Sequence, residues 1–153
     1  MCLLCENDCM AAVQIQTYLG RARDFLKGME DLLKEEFYVL DDDFVRYKYS
    51  PALLGIHGAI SYCDALRMGL GSEKLSSDDH RSATGDLKSL LEAKNFDKLQ
   101  GVDRLGKLLS KKSRIAYAAE VTREDEIKQI VQQAERFAAW AEDTGKVLKI
   151  EGW

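Results

Sequence analysis

Three polar side chains interrupt an otherwise apolar stretch at a spacing that suits acid–base chemistry. His57, Ser61 and Asp64 lie four and three residues apart, so in a helix they project from one side over two turns. An imidazole tuned by a carboxylate can bind a ligand or exchange protons near neutral pH. The pair can equally serve packing alone, with each group hydrogen-bonded to a neighbouring helix. His57 is thus a candidate catalytic residue, and Ser61 and Asp64 are candidate ligand contacts.

The other histidine of the chain, His80, follows two aspartates and precedes Arg81. This segment is predicted to begin a helix close in sequence to the stretch that carries His57, so the chain can fold back towards it. His80 is therefore a second catalytic candidate and Arg81 a candidate ligand contact. An exposed helix-capping segment would explain the same residues.

A basic stripe is predicted further along the chain. Lys107, Lys111 and Arg114 fall on one side of a helix at spacings of four and three residues. Such stripes are commonly the solvent-exposed face of a helix, but this cluster is also able to bind a phosphate in an otherwise acidic protein. We take Lys111 and Arg114 as candidate ligand contacts.

Three cysteines near the N-terminus, Cys2, Cys5 and Cys9, have a spacing that a metal could use. Structural zinc normally takes four ligands, and the fourth cysteine, Cys63, is far away in a buried helix. The three thiols are weak metal candidates, and we predict no metal and no cofactor. Residues 1–9 are then a flexible N-terminal segment.

Five amphipathic helices must position these residues. The chain has a single proline and lacks the period-two alternation of a strand, whereas apolar residues recur every three or four positions. The predicted helices cover about 8–37, 51–68, 78–94 and 98–120, and a fifth begins after Thr122. Ser50 with Pro51 should cap the second helix, and Thr122 the fifth. We predict one domain over residues 1–153, an all-α, antiparallel up-and-down bundle.

Composition narrows the class of protein. The 153 residues are 46% hydrophobic and 31% charged, which is typical of a folded domain, and no apolar run is long enough to span a membrane. The start of the chain lacks the features of a signal peptide, so a soluble, cytoplasmic protein with reduced thiols is expected. The net charge of -4 disfavours indiscriminate nucleic-acid binding but leaves room for a local basic patch.

The order of these segments resembles the HEPN family of helical-bundle proteins. The resemblance is carried by ALLGIHGAISYCDAL at 52–66, DHR at 79–81, KKSRIAY at 111–117 and AER at 134–136. It implies a helical bundle that forms a homodimer, often pairs with a nucleotidyltransferase-type protein, and belongs to toxin–antitoxin or defence systems. It also implies that Arg114 and Tyr117 frame one cleft with His57 and Asp64.

Many HEPN proteins are metal-independent ribonucleases whose signature is an arginine separated from a following histidine by four to six residues. That signature is missing, since Ser50, Pro51 and Ala52 stand before His57, and Lys74 before His80 lacks the planar fork of a guanidinium. We therefore predict a nucleotide-associated, RNA-associated or partner-binding protein that is not catalytic by this route. The alternative is an RNA-cleaving toxin in which His57 or His80 acts with a basic residue such as Lys111 or Arg114.

Overall fold

The computed structural model describes residues 3–34, 49–72, 80–117 and 122–153. They form five α-helices and no strand within these ranges: α1 (Leu3–Lys34), α2 (Ser50–Gly69), α3 (His80–Ala93), α4 (Gln100–Tyr117) and α5 (Glu124–Val147). The prediction of an all-α fold of about five helices is confirmed. Within the described part of the chain, no helix is long and apolar enough to cross a membrane.

Helix α2 lies at the centre of the fold. It packs against each of the other four helices, and its residues Ile56, Ala59 and Leu66 are at most 1% exposed. Apolar side chains on nearly every face of α2 allow this position, because a helix that is hydrophobic all round is stable only when surrounded. The prediction that α2 is the core helix is therefore confirmed.

The directions of the helices follow from which residues face each other. A Cβ on Gly58 of α2 would meet Leu26 of α1, and a Cβ on Gly55 would meet both Met29 of α1 and Ala134 of α5. Tyr62, farther along α2, bonds to Glu142, farther along α5. Helix α1 is therefore antiparallel to α2, whereas α2 and α5 run in the same direction. The strictly alternating up-and-down order is not confirmed.

Two glycines allow aromatic rings to lie directly on a helix backbone. A Cβ at Gly101 would come within 2.0 Å of the Trp140 ring, and one at Gly145 within 2.0 Å of the Trp153 ring. The Trp140 indole also donates a hydrogen bond of 2.8 Å to the Lys98 carbonyl oxygen. These contacts fix the start of α4 and the chain after α5 against the α5 helix.

The helix ends differ from prediction at the two capping residues. Ser50 is the first residue of α2 rather than its cap, and Tyr49 stands at the cap position without a side-chain hydrogen bond. Thr122 lies one residue before the cap position of α5, which Arg123 occupies. The Thr122 amide donates a hydrogen bond of 3.3 Å to the Tyr49 hydroxyl. Beyond α2, Gly71 adopts the left-handed conformation, with φ of 96°.

The apolar stripes are largely as the periodicity predicts. On α5 the periodicity predicts a buried stripe of five residues, and all five are buried: Ile127, Ile130, Ala134, Phe137 and Ala141. On α1 it places Val13 in the stripe, but Val13 is 54% exposed and Ile15 is buried instead. On α4 the predicted Val102 and Leu105 are buried, whereas Leu108 is buried in place of the predicted Leu109. A wide apolar sector allows this shift, because adjacent positions differ by only about 100° around the helix.

Candidate functional site

The polar stripe of α2 is present but does not form one continuous site. The His57 ring lies beside the Phe25 ring of α1 with centroids 5.6 Å apart, and its side chain is half-buried. Ser61 is buried at 5% exposure. Asp64, two turns from His57, accepts a hydrogen bond of 3.3 Å from Arg67. The stripe therefore begins at the α1 interface and ends in an ion-pair cluster.

That cluster is organised by Arg67, which the sequence reasoning missed. Its side chain is only 7% exposed and is paired with Asp64 on the same helix and Asp86 on α3. Its Nε donates to Asp86 at 2.7 Å, and the Ser72 hydroxyl donates to the same carboxylate at 3.3 Å. The i,i+3 spacing of Asp64 and Arg67 was the available signal. The cluster ties α2 to α3 and to the chain that follows α2.

Cys63 lies beside this cluster but offers no reactive thiol. It is 2% exposed, and burial first, with the nearby Asp64 charge second, raises the pKa of its thiol well above the ordinary range. A thiol held in the protonated form is a poor nucleophile and a poor metal ligand. Cys63 therefore behaves as a small core residue.

A second carboxylate centre, also missed from sequence, lies on α5. Glu142 accepts two hydrogen bonds from Arg23 of α1, at 2.8 and 3.0 Å. It also accepts one from the Tyr62 hydroxyl at 2.8 Å and one from the Trp153 indole at 3.2 Å. Burial would raise the pKa of Glu142, but these donors outweigh burial and hold it below its ordinary value. With all its donors from the protein, Glu142 joins α1, α2 and the chain after α5.

The basic residues predicted on α4 share one carboxylate. Lys111 lies 3.3 Å from Glu126 in the first turns of α5, and Arg114 pairs with the same carboxylate. Two cations on one anion leave a local excess of positive charge. Glu126 was missed as their partner, although its place among the acidic residues that open α5 was visible.

The structure does not bring Asp64 together with Arg114 and Tyr117. Arg114 pairs with Glu126, whereas Tyr62, two residues before Asp64, bonds to Glu142, sixteen residues later in α5. At a rise of about 1.5 Å per residue, Glu126 and Glu142 are roughly 24 Å apart along α5. Tyr117 is 83% exposed at the end of α4. Asp64 therefore does not share a cleft with Arg114 and Tyr117.

Several candidates fall at or outside the limits of the described structure. His80 is the first residue of α3 and Arg81 the second, but their side chains lie outside the described part. Cys2 and the side chains of Cys5 and Cys9 also lie outside it. Among the residues that are described, no group of three or more His, Cys, Asp or Glu side chains could hold a metal ion.

Two grooves flank α4. One, of about 240 Å³, lies between α4 and α5 and is lined by Lys107, Ser110, Lys111 and the two glutamines Gln129 and Gln133, with Leu108 and Ile130 also in its lining. The other, of about 580 Å³, is a more open groove between α3 and α4. Lys107 and Ser110 line both grooves. Of the predicted basic stripe, Lys107 lies between the two grooves, whereas Lys111 lines only the α4–α5 groove. The sequence did not reveal the opposite walls of either groove.

Comparison with known proteins adds no family to this description. The chain matches no protein-family model, no curated protein and no solved structure.

Proposed function

We propose that this chain is a HEPN-like helical-bundle protein that binds the phosphate groups of a nucleotide or of RNA without cleaving them. The observation that carries the proposal is the lining of the α4–α5 groove. Lys107 and Lys111 stand on its α4 wall, while Gln129 and Gln133 stand on its α5 wall. The groove receives the phosphate, and the amides add hydrogen bonds.

The lining of this groove fits such a ligand in charge and in polarity. Lys107, Lys111 and Arg114 bring three positive charges to this part of α4, and Glu126 offsets one of them. The attraction is therefore local, in a chain whose net charge is -4. Leu108 and Ile130 form the floor of the groove but are only 1% exposed. The other five lining residues are polar or charged, so the accessible surface of the groove can form hydrogen bonds with a phosphate.

The position of His57 supports binding rather than cleavage. Its ring lies against Phe25 of α1, whereas the groove lies between α4 and α5. A general acid or base must come within about 3 Å of the atom whose proton it moves. In this arrangement the imidazole serves the α1–α2 interface, and the basic residues act as ligand contacts.

The proposal extends to partners through the family resemblance. We propose that the chain acts as a homodimer in a toxin–antitoxin or defence system and pairs with a nucleotidyltransferase-type protein. Light scattering on the purified chain tests the dimer. Co-purification with the product of a neighbouring nucleotidyltransferase gene tests the pairing, and a strictly monomeric protein with no such neighbour would argue against both.

Titration of the protein with uridine monophosphate and with a fluorescent single-stranded RNA tests phosphate binding. Lys111→Gln should weaken binding by about tenfold, the size expected for losing one charge-assisted hydrogen bond. The matched control is Lys27→Gln, which removes the same charge from the exposed surface of α1 and should leave affinity unchanged. Equal effects of the two substitutions, or no binding by the unmodified protein, would contradict the proposal.

An RNA cleavage assay separates binding from the alternative of an RNA-cleaving toxin. Labelled RNA incubated with the protein should remain intact. Cleavage that is lost in His57→Ala or His80→Ala, with the helical content unchanged, would instead support the ribonuclease.

A further inference from the structure

The charges around the α4–α5 groove do not cancel. Lys107 and Lys111 lie one turn apart in its lining, and no acidic residue of the described chain is among the lining residues. The carboxylate of Glu126 is paired with Lys111 at 3.3 Å and also with Arg114. Because two cations share this one anion, one positive charge remains in excess there, in addition to that of Lys107. Asp103, one turn before Lys107, lines the α3–α4 groove instead.

The groups that can donate a hydrogen bond into this groove come from both of its walls. The Ser110 hydroxyl already donates to the Lys107 carbonyl oxygen at 2.8 Å, which leaves the two lysine ammonium groups on the α4 wall. Gln129 and Gln133, one turn apart on α5, form the opposite wall, and each amide carries two N–H donors. An ionised phosphate without a proton only accepts hydrogen bonds, so a lining of donors suits it.

The groove offers little surface to a base or a sugar. Leu108 and Ile130, the apolar residues of its lining, are 1% exposed, so a base finds almost no apolar surface on which to stack. The volume of about 240 Å³ is also below the range of about 300–1,000 Å³ for sites that enclose most of a drug-sized ligand. The part of a ligand that the groove encloses is therefore the phosphate.

We propose that the α4–α5 groove recognises a terminal phosphate, a phosphomonoester dianion, whatever sugar or base carries it. This inference rests on the proposed phosphate binding and names the ligand class. A phosphomonoester has a charge of about -1.5 to -2 at pH 7, whereas a phosphodiester inside a nucleic-acid chain has a charge of about -1. Lys107 and Lys111 together match the dianion, because each ammonium can bind a different phosphate oxygen. Mononucleotides, sugar phosphates and phosphorylated RNA ends belong to this class.

Four ligands that differ by one feature each test this class. Uridine monophosphate carries both the base and the dianion, its methyl ester keeps the base but has a single charge, ribose 5-phosphate keeps the dianion without the base, and uridine lacks the phosphate. Amide chemical shifts of 107–111 and 129–133 measure each affinity. We expect uridine monophosphate and ribose 5-phosphate to bind within about threefold of each other, the methyl ester about tenfold more weakly, and uridine not measurably.

Lys107→Gln and Lys111→Gln test whether the two lysines read the second charge of the phosphate. Each substitution should weaken uridine monophosphate binding about tenfold and reduce its preference over the methyl ester to about two- to threefold. The matched control, Lys27→Gln, removes a lysine from the exposed surface of α1 and should change neither the affinity nor the preference. Circular dichroism verifies that each variant is folded.

The possible failures are distinguishable. If the methyl ester binds as tightly as uridine monophosphate, or if both groove variants keep the full preference, the dianion is not what the groove recognises, although phosphate binding still stands. Binding of ribose 5-phosphate more than about tenfold weaker than that of uridine monophosphate would show that the base is read and would overturn the ligand class. If uridine monophosphate itself does not bind, the proposed function fails.

Discussion

The Arg67 guanidinium of α2 donates a hydrogen bond of 2.7 Å from its Nε to the Asp86 carboxylate of α3. Arg67 is nearly buried, with its side chain 7% exposed, while Asp86 is 39% exposed. Removal of the cation leaves Asp86 and Asp64 facing each other without their shared partner. This ion pair therefore holds α3, which forms one wall of the larger groove, against the core helix.

Arg67→Ala should destabilise the protein by about 2–3 kcal/mol, because it breaks a largely buried ion pair and leaves two carboxylates behind. Urea unfolding followed by circular dichroism measures the change. The control, Arg123→Ala, removes an exposed arginine paired with Asp125 and should cost less than about 0.5 kcal/mol. Equal losses in the two variants would show that the Arg67 cluster adds nothing to stability.

Glu142 should make stability depend on pH in the acid range. Its donors hold its pKa below the ordinary value of 4.5, so the folded state favours the charged form. The resulting stability is present above the unfolded pKa and is lost as pH falls through the lower folded pKa. Glu142→Gln should therefore cost about 1–3 kcal/mol at pH 7, and this deficit should shrink below about pH 4.

Denaturant unfolding between pH 3 and pH 7 measures this dependence. Glu135→Gln, an exposed position on the same helix, is the control and should show no such deficit. A Glu142→Gln deficit that stays constant over the whole range would contradict the assigned role of its charge.

Two glycines of α4 should respond oppositely to alanine. Gly101→Ala pushes a methyl group into the Trp140 ring and should destabilise by about 1–3 kcal/mol. Gly106→Ala meets open space and should stabilise by up to about 1 kcal/mol through helix propensity. Thermal melting of both variants provides the comparison. If Gly106→Ala proved as destabilising as Gly101→Ala, the groove would not be open at that position.

The periodicity of the sequence predicts most of the fold, because a helix that buries one face has apolar residues at every third or fourth position. The α5 stripe that contains Phe137 and Ala134 is buried as predicted, and α2 is the central helix. Its relation to α5 was not predictable in the same way. The parallel pairing of α2 and α5 depends on which residues of distant segments contact each other. The periodicity within one helix contains no information about those contacts.

The candidate site was only partly predictable, because the groups that complete it come from distant segments. The spacing of Lys107, Lys111 and Arg114 revealed the basic side of α4. The opposite walls, with Lys88 on one side and Gln129 on the other, follow only from tertiary packing. His57 and Asp64 share a side of α2, but α1 contacts one and Arg67 binds the other, so their spacing did not imply a shared function.

Backbone amide chemical shifts of isotope-labelled protein, recorded during titration with uridine monophosphate, test the location of the phosphate site most directly. The shifts should concentrate on the walls of the α4–α5 groove, within 107–111 and 129–133, with Lys111 among the largest. Shifts centred instead on the α1–α2 interface near His57, or no shifts at saturating uridine monophosphate, would contradict phosphate binding between α4 and α5.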